Sequence, residues 1–315
     1  MVTQPRVSPD WPASKLIEIF GAELEFSRPL APLTSFETGG PARYFLVARS
    51  VDDVVRAVKG AARLGIKVFV MGGGSNLLVS DDGFDGLVIK IELLGLSPVG
   101  DRMIEAGGGE SLLDLVNFAT ERSLSGLEFA AGIWGSVGGA IYGNAGAFGG
   151  EVGQVLDKAI LIDTSGVVKT VGPEYMQFEY RHSVLKETRE VVASAAFRLT
   201  PGDRAEIESR VNEILSRRAE RHPDRRTAGC FFRNIPDASQ EHGKVPAGRL
   251  LEEVGAKELC VGGARVYDKH ANIIVNAGGA TSKDIRQLAD MMKKKVLDRF
   301  GIELREEIQQ LGSFQ

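Results

Sequence analysis

Apolar residues recur at helical spacing in some stretches of the chain and form short runs bounded by turn residues in others. Val51, Val54, Val55, Val58 and Ala62 share one face of a segment that opens with Ser50, carries Asp53 three positions later and stops at Gly65. That is the capping and termination chemistry of an amphipathic helix. Ser111 and Asp114 open another, through Arg122, and Asp203 to Arg221 predicts a third with Ile207, Val211, Ile214 and Leu215 inward. This third helix is expected to open a second domain, in which PAGRLLEEVG and TSKDIRQLADMMKKKVLDRFG are the next helices and HANIIVN is a strand. Earlier in the chain, KVFVMGGGSNLLVSDDGFDGLVIKI reads as strand, tight loop, strand, turn, strand. AILIDTSGVVKTV predicts a hairpin around Ser165 and Gly166, and VVASAAFRLT a further strand. No repeat or low-complexity linker interrupts the order.

Residues 131–150, AGIWGSVGGAIYGNAGAFGG, fit neither period. The run carries no charge, yet eight of its twenty residues are glycine. A membrane span of that length would lose about 1 kcal/mol at each interior Gly relative to Ala. The remaining reading is bare backbone held close to something that leaves no room for side chains. At 315 residues, 43% hydrophobic and 25% charged, the chain is globular and long enough for two or three cores. A net charge of −4 argues against general nucleic-acid binding and a membrane-surface role. Cys230 and Cys260 are the only cysteines, too few for a disulfide framework or a zinc site, and they suit a reducing cytoplasm. MVTQPRVSPDWPASKL has no apolar core behind its charges, so it is no signal peptide and is expected to be a flexible lead-in.

Two further glycine clusters, at 72–74 and 107–109, need the same explanation. Gly72, Gly73, Gly74, Ser75 and Asn76 lead into a strand, not a helix, so they are not a dinucleotide fingerprint, and no Walker lysine follows. Successive backbone N–H groups in such a turn can still form an anion site, with Ser75 and Asn76 adding donors. Any one cluster alone reads as an ordinary tight turn; three together favour one long ligand with a diphosphate.

VMGGGSNLLVSDDGFDGLVIKI, GLEFAAGIWGSVGGAIYGNAGAFGGEV, YRHSVLK, AGCFFRN, GGARVYDKHANIIVNAGGATSKDI and FGIELREEI stand in the order of the landmarks of one enzyme family. Over nearly its whole length the chain resembles the UDP-N-acetylenolpyruvoylglucosamine reductases, in their shorter form without a tyrosine-bearing insertion. The resemblance implies an α+β chain. Its FAD-binding fold would be of the vanillyl-alcohol oxidase (PCMH) type over residues 1–200, with lobes of about 1–93 and 94–200, followed by a C-terminal α/β substrate domain over 201–315. It implies noncovalent FAD, NADPH as hydride donor and UDP-N-acetylglucosamine enolpyruvate as substrate, in a cytoplasmic monomer without nucleic-acid or membrane partners. Gly132, Ser136, Gly138, Gly139, Asn144 and Gly146 would then lie along the FAD together with residues 72–76.

Reducing an enolpyruvyl ether needs a hydride source, a stabiliser for the carboxylate and a proton donor. The resemblance places Arg181 on the carboxylate, Glu307 as the catalytic acid in preference to Glu306, and Cys230 where the family has its serine donor. It places Tyr180, Arg218 and Asn234 on the substrate. Without that context Arg181 reads as a surface ion pair, Glu307 as a solvated strand residue, the basic run from Arg217 to Arg226 as the wet end of a helix, and His270 as a packed imidazole. Trp134 stands where the family carries proline, Arg233 where lysine is common, and Ile235 separates Asn234 from Pro236. A cysteine donor would make the enzyme sensitive to thiol reagents. Another FAD oxidase of the same fold, or a catalytically weak flavin- or UDP-sugar-binding paralogue, remains as an alternative.

Overall fold

Helix Val51–Leu64 forms as its ends dictate: the Ser50 hydroxyl accepts from Asp53 N, the Asp53 carboxylate accepts from Ser50 N at 2.9 Å, and Gly65 closes it at φ +64°. The computed structural model describes residues 11–224, 226–237, 239–240 and 243–314. The buried stripe of this helix is Val54, Ala57, Val58 and Ala61, a slight rotation from the expected face, leaving Val51 exposed. It covers the first sheet, in which Glu25–Pro29 pairs antiparallel with Pro41–Ala48, and Phe84–Ile91 lies parallel to both Pro41–Ala48 and Val68–Met71. Helix Trp11–Phe20 buries Leu16 and Phe20 in this lobe, so the lead-in expected over 1–16 is ordered from residue 11; residues 1–10 lie outside the described residues.

The second lobe is an antiparallel sheet in the order Val168–Val171, Leu156–Ile162, Val191–Arg198, Met103–Gly107, Leu96–Val99. Helices Leu112–Glu121 and Val137–Tyr142 pack on it around Ile104, Leu115, Ile141, Leu161 and Phe197. Helix Arg204–Arg221 belongs here too, because Val211 and Ile214 are buried in this same core. This helix lies beyond the expected boundary at 200 yet packs with the residues before it.

The third core gathers Phe231, Phe232, Leu251, Ile274, Leu288 and Met292 between a three-stranded meander (Cys260–Val261, Ala264–Tyr267, His270–Asn276) and helices Ala247–Glu253 and Ser282–Phe300. Phe36 and Leu78 of the first lobe are buried in it as well. The Asp81 carboxylate, also from the first lobe, accepts from Ser282 N and Lys283 N at 2.8 and 2.9 Å, satisfying donors that the start of a helix leaves unpaired. After its last helix the chain returns to the first lobe, where Gln309–Leu311 runs parallel to Leu77–Val79. Among the described residues no helix is long and apolar enough to cross a membrane.

Candidate active site

The three glycine clusters meet one another before they meet any ligand. A Cβ on Gly73 would lie 2.7 Å from Gly135 Cα, one on Gly138 2.9 Å from Gly108 O, and one on Gly108 2.0 Å from Val192 O. Backbone thus packs on backbone across both lobes, and the seam opens into a cavity of about 1400 Å³. That exceeds the usual range of roughly 300–1,000 Å³ for one small ligand. Its lining includes residues 72–76, the glycine-rich stretch with Gly132, Ser136, Gly138, Gly139, Gly143 and Gly146, and the cluster of Arg181, Cys230 and Glu307.

FAD fits this shape. At Gly139 a Cβ would meet only the Ser136 hydroxyl, at 3.4 Å, so any larger side chain there would occupy the cavity itself. In the 72–76 loop the carbonyls turn away: Gly72 O accepts from Lys90 Nζ, Gly74 O from Ser35 N at 3.0 Å, and Asn76 O from Gln309 N at 3.0 Å. Among the described residues the N–H groups of Gly73, Gly74, Ser75 and Asn76 donate to no protein acceptor, although Gly74 is buried. Successive orphan donors on a cavity wall suit a diphosphate. The Ser75 and Asn76 side chains, expected on the ligand, are instead committed to protein: Ser75 Oγ donates to Trp134 O at 2.8 Å and Asn76 Nδ2 to Glu307 O at 3.3 Å.

In that cluster Arg181 Nε lies 2.7 Å from Glu307 Oε1. Arg181 holds φ +57°, a strained value for a residue with a Cβ, and Lys186 Nζ donates to its carbonyl at 2.7 Å. Glu307 is fixed by its own N–H to Phe231 O at 2.8 Å, and neighbouring residues on an extended strand face opposite ways. Glu306 accordingly turns to the other side and is held by Arg286 at 2.7 and 2.9 Å. Burial raises the Glu307 pKa against the opposing pull of Arg181, Arg233 and Lys186. Burial and then Arg233 lower Lys186 to about 8. The Cys230 thiol is pushed up to about 12 by burial and then Glu307, with Arg181 and Arg218 opposing. Arg218, its pKa lowered by burial, reaches the cavity beside Gly132. Among the described residues the buried Nε atoms of Arg181, Arg218 and Arg233 have no hydrogen-bond partner, the 2.7 Å approach of Arg181 to Glu307 being an ion pair. Four cations thus surround one raised carboxyl and one protonated thiol, an arrangement that attracts anions and can protonate them.

Two residues expected on ligands have side chains bonded to protein backbone. Asn144 is fully buried behind the wall, where Nδ2 donates to Glu179 O at 3.0 Å and Oδ1 accepts from Gly153 N at 3.0 Å, so it shapes the loop and does not reach the FAD seat. Asn234 Oδ1 accepts from Ala247 N at 3.1 Å at the start of helix Ala247–Glu253 and lies outside the cavity lining. Tyr180 stands just beyond the reactive cluster, with Lys244 Nζ 3.4 Å from its ring centroid. Of the described members of the basic run, Arg218 faces the cavity, while Arg217 pairs with Glu213 and Arg226 with Glu37. His270 accepts from Asn272 N and packs on His222, which lines the cavity. Lys186 and His222 were not singled out from the sequence; the only signal for Lys186 was its place in YRHSVLK, five residues after Arg181.

A family model for an FAD binding domain matches residues 42–172, and one for the C-terminal domain of UDP-N-acetylenolpyruvoylglucosamine reductase matches 221–311, where the third core begins. The chain is 38% identical to the UDP-N-acetylenolpyruvoylglucosamine reductase of Solibacter usitatus over 301 residues, covering 91% of this chain and 96% of that one. It is 37% identical to that of Bacillus pumilus, covering 95% and 97%. The crystal structure of the Thermus caldophilus enzyme superposes with a TM-score of 0.78 at 32% identity, covering 92% of this chain and 98% of that one. A flavin-binding fold in two lobes, a C-terminal domain of matching type and near end-to-end similarity agree: the chain belongs to the UDP-N-acetylenolpyruvoylglucosamine reductase family.

Proposed function

We propose that this protein reduces UDP-N-acetylglucosamine enolpyruvate to UDP-N-acetylmuramate, a peptidoglycan precursor, with NADPH as electron donor. The observation that carries the reading is the Arg181–Glu307 pair standing beside Cys230 in the lining of the glycine-rich cavity. FAD, which the 72–76 loop and the glycine wall at Gly138 and Gly139 would hold noncovalently, would supply hydride-transfer chemistry between NADPH and the terminal alkene carbon of the substrate. Hydride addition moves an electron pair toward the substrate carboxylate, and Arg181 stabilises the charge that develops there. Glu307, whose pKa burial raises against the pull of Arg181, Arg233 and Lys186, faces the same oxygens.

Cys230 delivers the proton to the ether-bearing carbon. A thiol at about 12 is a weak acid, yet it is far stronger than the C–H bond it creates, so the transfer runs downhill. The thiolate recovers its proton from solvent, and one NADPH and one proton are consumed per product. Arg218, Arg233 and Lys186 bring the remaining positive charge to an anionic substrate, and Tyr180 borders that path. The two free cysteines suit a cytoplasmic enzyme. Neither nucleic acid nor membrane is needed by this reading.

Stopped-flow spectroscopy tests it. Anaerobic NADPH should bleach the flavin and the enolpyruvyl substrate should restore its oxidised absorbance. A protein whose reduced flavin ignores the substrate and reacts only with oxygen would be a different flavoenzyme of the same fold.

A further inference from the structure

We infer that Lys90 is a positioning residue for the cofactor, aiming the 72–76 loop at the flavin diphosphate from behind the sheet. Lys90 lies on Phe84–Ile91, the strand that pairs on both sides, opposite Val47 in one neighbour and Met71 in the other. An ammonium in that position is costly, since a charge drawn from water needs compensation, and burial does lower the Lys90 pKa. The nearest opposing charge, Glu92, is engaged by Arg49 at 3.2 Å. Among the described residues the hydrogen-bond acceptor of Lys90 Nζ is a single atom, the carbonyl oxygen of Gly72.

The consequence follows from peptide geometry. The carbonyl of Gly72 and the N–H of Gly73 belong to one planar trans unit, in which the two groups point in opposite directions. Drawing Gly72 O back toward Lys90 therefore turns Gly73 N–H outward to the cavity. Ser35 N does the same for the next but one peptide by holding Gly74 O, which turns out Ser75 N–H. Gly72 and Gly73 have no side chains to fix their own orientation, so the loop needs external anchors, and Lys90 is the charged one. Its positive charge also lies one peptide unit behind the anion seat, where it adds to the potential that a diphosphate meets. Lys90 itself does not line the cavity.

The inference rests on the reading of this loop as the diphosphate seat of FAD, and the test separates the two. Lys90→Met keeps a long apolar side chain in the sheet and removes the ammonium. In the flavin-stripped full-length chain, titration with FAD should show affinity at least about tenfold weaker than wild type, the scale of one hydrogen bond from a charged group. Affinity for riboflavin, which has no phosphate, should be the same in both proteins, and the melting temperature of the flavin-free chain should be unchanged. Where riboflavin is too weak to titrate, displacement of FAD by ADP and by adenosine supplies the same contrast: ADP weakens and adenosine does not. Unchanged FAD affinity, an equal loss for the phosphate-free ligands, or a matching fall in melting temperature would overturn the inference. Wild-type protein that binds FAD no better than riboflavin would instead refute the diphosphate seat.

Discussion

Cys230 offers the sharpest test of the catalytic reading, because the chain carries its own control. The surroundings of Cys230 push the thiol from 9.0 to about 12. At pH 7 the thiolate fraction therefore falls from about one in a hundred to about one in a hundred thousand, each pKa unit being a factor of ten. Alkylation proceeds through the thiolate, so Cys230 should react with iodoacetamide roughly a thousandfold more slowly than an unperturbed thiol, and more slowly again when ligands fill the cavity. Cys260, exposed on the C-terminal domain, is the internal reference, and peptide mass spectrometry follows both sites in one sample. Slow labelling of Cys230 would run against the sensitivity to thiol reagents expected from a cysteine donor, because the raised pKa keeps the thiol protonated. Cys230→Ala should leave flavin reduction by NADPH near wild type and slow reoxidation by substrate about 10²–10⁴-fold, the usual share of a general acid. Cys230→Ser should retain turnover. Labelling of Cys230 as fast as Cys260, or an alanine variant with wild-type reoxidation, would refute the argument.

Arg181→Ala and Glu307→Ala should each retain yellow protein and rapid reduction by NADPH while reoxidation by substrate falls by about two orders of magnitude or more, since several kcal/mol of charge stabilisation is lost. Loss of the reductive half-reaction to the same degree would remove both residues from the proposed roles. Gly139→Leu, a change the helical backbone tolerates, should yield folded protein with little FAD, read as flavin absorbance per chain; full occupancy would mean that the cofactor lies elsewhere. Lys186 carries its charge below about 8 and loses it above, so kcat/KM for the anionic substrate should decline through that pH, and Lys186→Met should erase this alkaline limb. His222 is lowered to about 4 by burial and then Arg218, below its unfolded value of 6.5. The unfolded chain therefore binds the proton first, and the contribution of His222 to stability is complete above pH 6.5 and lost as pH falls toward 4, at most about 3 kcal/mol for a ring partly open to water. Urea titrations of His222→Gln should show a flatter acid limb.

Local rules carried much of the fold because the signals were strong where chemistry was local. Ser50 with Asp53, Ser111 with Asp114 and Gly65 marked helix ends that the structure reproduces. The helix beginning after Asp203 was equally legible, but its destination was not, since the same apolar stripe can face either of two cores. Motif order identified Arg181, Cys230 and Glu307, and the structure brings them to the lining of one cavity. Asn144 and Asn234 show a limit of motif reading: an amide that fits a ligand fits a backbone equally well, and in the fold both side chains have backbone partners. Glycine posed a similar ambiguity. The clusters were expected to make room for a ligand, and at Gly139 one does, but Gly73, Gly108 and Gly138 first make room for each other.

The return of the C-terminal tail has a consequence for how the molecule is made. Asn76 and Glu307, 231 residues apart, are joined by the Asn76 amide, and the strand that follows Glu307 completes its pairing with a segment synthesised near the start of the chain. Ser80 N and its hydroxyl close on Leu311 O and Ser313 O, both at 2.7 Å. The pairing of that early segment therefore waits until residues 307–313 have been made. The 231-residue separation between Asn76 and Glu307 must close before Glu307 takes its place beside Arg181.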